Sequence, residues 1–225
     1  LKLQAAVPDA AFGLASAVLS PLRASKDAEE IALLRRAAHA ADRVVAAIAS
    51  GRLVGRSEAD VAREVRERLV DEGHELAAFA IVASGPNSAS PHHEAAERLI
   101  GAGEPIVLDI GGRLGGYHSD ITRTLWVTGE DQQPPSAEFS SLYETLQRAQ
   151  AAGRAAVRPG ISAEAVDSVA REVIADAAPS NDTLNTLVRP YVEPATLRLV
   201  VVLAWPPDPI TPLTPDTTTT TPTTT

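Results

Sequence analysis

The chain has 225 residues, enough for one sizeable domain with a real core. Its formal net charge of −9 argues against nucleic acid or an anionic membrane surface as partner, since both select for basic faces. Cysteine is absent, which excludes disulfides and thiolate ligands, so any metal must be held by carboxylate or imidazole.

Residues 1–20, "LKLQAAVPDAAFGLASAVLS", have neither the basic lead nor the compact apolar centre of a signal peptide. No apolar run in the chain approaches the roughly 20 residues of a membrane span. With no methionine anywhere in the chain, it reads as a fragment that begins inside a longer open reading frame. Ser25 is the expected N-cap of a first long helix, with Asp27, Glu29 and Glu30 in its first turn. Ile31, Leu34, Ala38, Ala41, Val45 and Ile48 then recur at helical spacing until Gly51. A second helix opens at Ser57 with Asp60 three residues on, buries Val61, Val65 and Leu69, and ends at Gly73. "AFAIVASG" (78–85) and "PIVLDIGG" (105–112) read as buried strands, and "GGYHSDITRTLWV" (115–127) as a return strand. A helix from about Ser136 to Val157, a Pro159-Gly160 break and a helix capped by Ser162 complete the pattern.

Residues 34–65 and 146–173 resemble one another: helix, glycine-bearing break, Ser-capped helix, both ending in "VAREV". A duplicated unit predicts a second sheet after the second helix pair. After Ala178, however, only "LRLVVVLAW" (197–205) has strand character, and the Thr/Pro tract that follows cannot pack a core. Residues 179–225 therefore read as an aberrant, disordered tail.

"VLDIGGRLGGYHSDITRT" (107–124) holds Asp109 and Asp120 on either side of a glycine-rich centre. Pairing the two aspartates centres a hairpin turn between Leu114 and Gly115, with Gly111, Gly112, Gly115 and Gly116 supplying positive φ. The carboxylates then lie side by side with Cβ atoms roughly 5 Å apart, which is costly without a cation or proton between them. Such oxygen ligands suit a hard or borderline divalent ion, or a two-metal site. The competing reading has one aspartate facing solvent while the other caps a turn. "GGRLGG" is not a phosphate loop: it lacks the Lys-Ser/Thr pair and is followed by a strand.

"IVASGPNSASPHH", "IVLDIGG" and "GYHSDITRT" resemble the creatinase/aminopeptidase P/methionine aminopeptidase, or pita-bread, metallopeptidases, and most closely the Xaa-Pro dipeptidases (prolidases). The resemblance implies an α/β pita-bread fold of two pseudo-symmetric halves, the second incomplete, with residues 1–20 the end of a preceding N-terminal domain or linker and residues 21–178 forming a partial catalytic domain. It implies two divalent ions (manganese, cobalt or zinc), Asp109 chelating one and Asp120 bridging both. It makes His92 the catalytic histidine that contacts substrate and stabilises the tetrahedral intermediate, with His93 as the alternative. Thr122 shares the strand face of Asp120 and is placed to orient it. His118 shares that face by alternation and reads as a neighbour, His39 and His74 as solvated or packed, and Arg123 as an ion-pair partner. The implied substrate is an Xaa-Pro dipeptide or a longer peptide. The implied protein is cytoplasmic, forms a homodimer, and has no nucleic-acid or membrane partner.

The family completes its site with a Gly-His-Gly histidine and two glutamates from the second half. Here the last histidine is His118, and Glu193 is the only glutamate after Glu172. The chain as written is therefore expected to be inactive and to bind the metal pair poorly if at all. "VEPAT" (192–196), read two nucleotides on with suitable wobble bases, can encode Arg-Thr-Gly-His, so a frameshift near residue 178 is the expected cause. The alternatives are a non-catalytic pita-bread binding module or remnant, and a creatinase-like site working without metal.

Overall fold

Residues 6, 7 and 9–177 are described by the computed structural model of the chain. They begin with α1 (Ser16–Ala24), followed by α2 (Ala28–Ser50) and α3 (Glu58–Asp71). Asp27, rather than the expected Ser25, caps α2. Its carboxylate accepts from the Glu30 N–H at 2.9 Å, and the Glu30 carboxylate accepts from the Asp27 N–H at 2.7 Å. Two acids three residues apart satisfy two orphan donors reciprocally, where a lone serine satisfies one. The buried stripe of α2 is Ala37, Ala40, Ala41, Val44, Val45 and Ile48, rotated from the predicted one, and Ile31 is exposed. Ser57 caps α3 as predicted, accepting from the Asp60 N–H, and Val61, Ala62, Val65 and Leu69 are buried.

The sheet follows: β1 (Leu76–Ser84), a 3-10 turn (Gly85–Ala89), β2 (Glu104–Leu114), β3 (Tyr117–His118) and β4 (Ile121–Val127). All pairings are antiparallel, with β2 between β1 on one side and β3 and β4 on the other. Alternation gives the sheet two faces. Ala80 and Val82 of β1 and Ile106, Leu108 and Ile110 of β2 pack with the apolar stripes of α2 and α3 in one core. Each of the three β2 side chains is fully buried and contributes roughly 1.5–3 kcal/mol. The opposite face carries Ile81, Val107, Asp109, Thr122 and Thr124, all only half-buried.

A second helix pair, α4 (Ala137–Ala156) and α5 (Ala163–Ala177), follows the sheet. Ser136 and Ser162 cap it as predicted, accepting from the Phe139 and Ala165 N–H groups. The two pack closely where Gly153 meets Ala170. Phe139 joins the pair to the sheet by ring contact with Trp126, centroids 4.9 Å apart. The helix–break–capped-helix unit thus recurs, as the internal resemblance predicts. The expected strand at 197–205 and the Thr/Pro tract lie outside the described residues. No helix among the described residues is long and apolar enough to cross a membrane.

Candidate metal centre

Asp109 and Asp120 reach one face of the sheet through a hairpin whose register differs from the expected one. Arg113 pairs with His118, Leu114 with Tyr117, and Asp109 with Thr122, so the turn is centred between Gly115 and Gly116. Those two glycines have φ of 60° and 84°, the positive values that a tight two-residue turn requires at both positions. Gly111 and Gly112 do not share that role; they are needed for close approach. A Cβ on Gly111 would collide with the Ser119 carbonyl oxygen and the Phe79 ring, and one on Gly112 with the His74 ring. The register is displaced by two residues from the predicted one, which preserves parity. Asp120 therefore stays on the face of Asp109, but diagonally, opposite Gly111 rather than opposite Asp109.

The displaced register also reassigns Thr122. Its hydroxyl donates to Asp109 Oδ1 at 2.7 Å and so orients Asp109, not Asp120. Burial pushes the Asp109 carboxyl above the usual range, partly offset by the Thr122 hydrogen bond and by the charge of His92. Asp120 is exposed, but partial desolvation at the sheet surface raises it too, and the Asp109 charge raises it further. Two carboxylates held on one face, each made harder to ionise, form a site that a cation would stabilise. His92 is exposed on the connection between β1 and β2, and its charge reaches Asp109. His93, the alternative to His92, donates to buried Glu58 at 2.7 Å.

Asp120 sits in the break between β3 and β4, and buried Ser119 beside it anchors that break. His74 is buried with Nδ1 3.0 Å from the Leu69 carbonyl and Nε2 2.9 Å from the Ser119 hydroxyl. A carbonyl only accepts, so Nδ1 carries the proton and Ser119 donates to Nε2. The Ser119 oxygen in turn accepts from the Gly112 N–H at 3.1 Å. Burial lowers the His74 pKa, consistent with this neutral ring. Arg123 pairs with Asp42 of α2 at 2.8 Å, as expected of a structural partner. His39 and His118 are exposed, and His118 borders a hollow of about 600 Å³ between the hairpin turn and the α1–α2 junction, away from both aspartates.

Sequence reasoning missed Glu58. It is fully buried at the first position of α3 and accepts from the Ser84 N–H, the Ser84 hydroxyl, the Asn87 amide and His93. Its partners lie 26–35 residues away along the chain, and no local spacing announces them.

The donor set meets the metal pair that the resemblance implies only in part. Asp109 and Asp120 fit as two oxygen ligands on one face. Among the described residues no three histidine, aspartate or glutamate side chains stand close enough to enclose an ion. The described residues thus offer two carboxylates on one face and no enclosed ion site.

A helix-covered antiparallel sheet with two aspartates on its open face is the framework of a divalent-metal-dependent peptidase family. The chain belongs to metallopeptidase family M24, whose model matches residues 32–192. It is 48% identical over 165 residues to the probable dipeptidase PepE of Mycobacterium tuberculosis, covering 73% of this chain and 43% of that protein. It is 37% identical over 158 residues to the Xaa-Pro dipeptidase of Pyrococcus furiosus, covering 70% and 44%. The solved structure of dipeptidase PepE from Mycobacterium ulcerans matches with a TM-score of 0.68 at 45% identity, covering 73% of this chain and 43% of that one. The fold is the pita-bread α/β type of these peptidases, and the chain spans less than half the length of the curated relatives it matches.

Proposed function

We propose that residues 21–178 carry the carboxylate half of a dinuclear site for hydrolysing peptide bonds next to proline. The observation that supports this most directly is the pair of carboxylates, Asp109 and Asp120, on one face of the hairpin and close enough for the Asp109 charge to raise Asp120. Asp109 would hold one divalent ion (manganese, cobalt or zinc) and Asp120 would bridge two. A bound metal pair would supply a hydroxide at neutral pH and polarise the scissile carbonyl. The chain's own residues do the positioning. Thr122 fixes the Asp109 carboxylate through its hydroxyl, and Ser119 holds the strand break from which Asp120 projects. His92, whose charge reaches Asp109, would donate to a substrate oxygen. The substrate class follows the relatives' names, an Xaa-Pro dipeptide or a peptide with proline in second place. With two ligands on the described sheet and no histidine beyond His118, the 225-residue chain does not turn over substrate alone.

Calorimetric titration with Mn²⁺, run beside an Xaa-Pro dipeptide assay, tests the reading. Weak Mn²⁺ binding that vanishes in Asp120→Asn, without turnover, is the expected result. No binding to the native chain favours the non-catalytic module, and measurable turnover overturns the claim of an incomplete site.

A further inference from the structure

His92 belongs to the 19-residue connection between β1 and β2, yet its charge reaches a carboxylate on β2. Two hydrogen bonds define its immediate setting. The His93 N–H donates to the Ser90 carbonyl at 3.2 Å, closing a tight turn with Pro91 and His92 at its two central positions. The Ser90 N–H donates to the Asn87 carbonyl at 2.9 Å, tying the start of that turn to the 3-10 segment before it. His92 is therefore the tip of a turn flanked by Asn87 and His93.

Both flanks are attached to one carboxylate. The Asn87 amide donates to Glu58 at 3.1 and 3.2 Å, and His93 Nε2 donates to Glu58 Oε2 at 2.7 Å. The same carboxylate accepts from the Ser84 N–H and hydroxyl, each at 2.7 Å, where β1 ends. Downstream, the first turn of α3 holds the connection by its backbone. The Glu58 N–H donates to the Arg98 carbonyl and the Ala59 N–H to the Ala96 carbonyl, both at 3.0 Å. Arg98 then reaches the Ser84 hydroxyl at 2.6 Å and grips Glu104 of β2 with two hydrogen bonds of 2.7 and 2.8 Å.

We propose that Glu58 is a positioning residue that clamps both sides of the Ser90–His93 turn, through Asn87 and His93, and thereby aims His92 at Asp109. The physical ground is the cost of breaking the clamp. The Glu58 side chain is fully buried, and a buried carboxylate that loses its donors costs several kcal/mol. The turn cannot swing away without removing two of the donors that satisfy that charge. Burial alone would raise the Glu58 pKa, yet the donors from Ser84, His93 and Asn87 hold it below the usual glutamate value. A loop that would otherwise be mobile is tethered through the solvation of a charge on the helix beneath it. The catalytic meaning of this clamp rests on the peptidase reading, whereas the clamp itself does not.

The test requires neither metal nor turnover, so its failure is distinct from failure of the peptidase reading. The chain has five histidines, and selective ¹⁵N labelling gives a sparse imidazole spectrum that single substitutions assign. In the native chain Asp109→Asn should displace the His92 ring resonances, because the carboxylate acts on that ring. In His93→Ala the same substitution should displace them by roughly threefold less, a coupling loss at the lower end for neighbouring residues. His93→Gln, whose amide can still donate to Glu58, should retain most of the displacement. Should His93→Ala not fold, Asn87→Ala takes its place, with a smaller reduction expected because its two hydrogen bonds are longer. An undiminished displacement in the folded variant overturns the proposal even if its melting temperature falls. Absence of any displacement in the native chain overturns it as well.

Discussion

The two faces of the sheet are built from the same strand and obey different rules. Ile106, Leu108 and Ile110 of β2 point into the helices and are fully buried, whereas Val107 and Asp109 between them point to the open side and are half-buried. Burial on the first face locks the register, because a one-residue slip would expose every apolar side chain and bury the aspartate. Asp109 is thus aimed by its neighbours' hydrophobicity, at no expense to its own chemistry. The covered face carries stability, and the open face carries charge that destabilises until something binds it.

The largest break in this contrast comes from Leu108→Ala. Leu108 is fully buried at the centre of the core, and its truncation should cost about 2–5 kcal/mol by urea unfolding. A loss below 1 kcal/mol would mean that the helices do not hold the sheet in register. On the open face Thr122→Val removes the hydroxyl that orients Asp109 while keeping the side chain's shape. Mn²⁺ affinity should fall roughly 10–100-fold with little change in unfolding free energy. Equal binding by the variant would show that the threonine does not set the carboxylate's angle.

His74 sharpens the comparison, because it reaches from the helix side to the break beside Asp120. Its folded pKa is depressed by burial, so the unfolded chain binds the proton more readily. The contribution is therefore complete above the ordinary histidine value of 6.5 and is lost as pH falls from there through the folded value. His74→Leu should cost about 1–3 kcal/mol at pH 7.5 and flatten the stability profile below pH 6.5. An unchanged slope would place the acid sensitivity elsewhere. Smallest of all, Asp42→Asn should change stability by no more than about 1 kcal/mol. Its partner Arg123 is one-fifth exposed and Asp42 is twice as exposed, and such pairs are solvent-screened.

Features written in short-range pattern were legible in the sequence. The cap at Ser57, the Gly73 stop, the three main strands and both capped helices after the sheet all follow from spacing and turn chemistry. The turn was misplaced because "GGRLGG" offers several glycine pairs, and pairing the aspartates chose the wrong one. Parity preserved the shared face but handed Thr122 to Asp109. Ser25 failed as a cap because a stronger acid pair lay two residues on. Glu58 was invisible for a different reason: its role exists only once α3 lies beneath the end of β1.

The hairpin and the clamp also differ in when they can arise during folding. Asp109 and Asp120 lie 11 residues apart on a turn with both positive-φ positions filled by glycine, so bringing them onto one face needs little chain closure. Hairpins of this kind form in about 1–10 μs. His92 reaches its place only after α3, β1 and the connection have met through Glu58. The two like charges are therefore brought onto one face by local closure alone, whereas the Glu58 contacts need closure over 26–35 residues. A divalent ion present during refolding would meet the carboxylate pair first, and would act on the folding rate as well as on final stability.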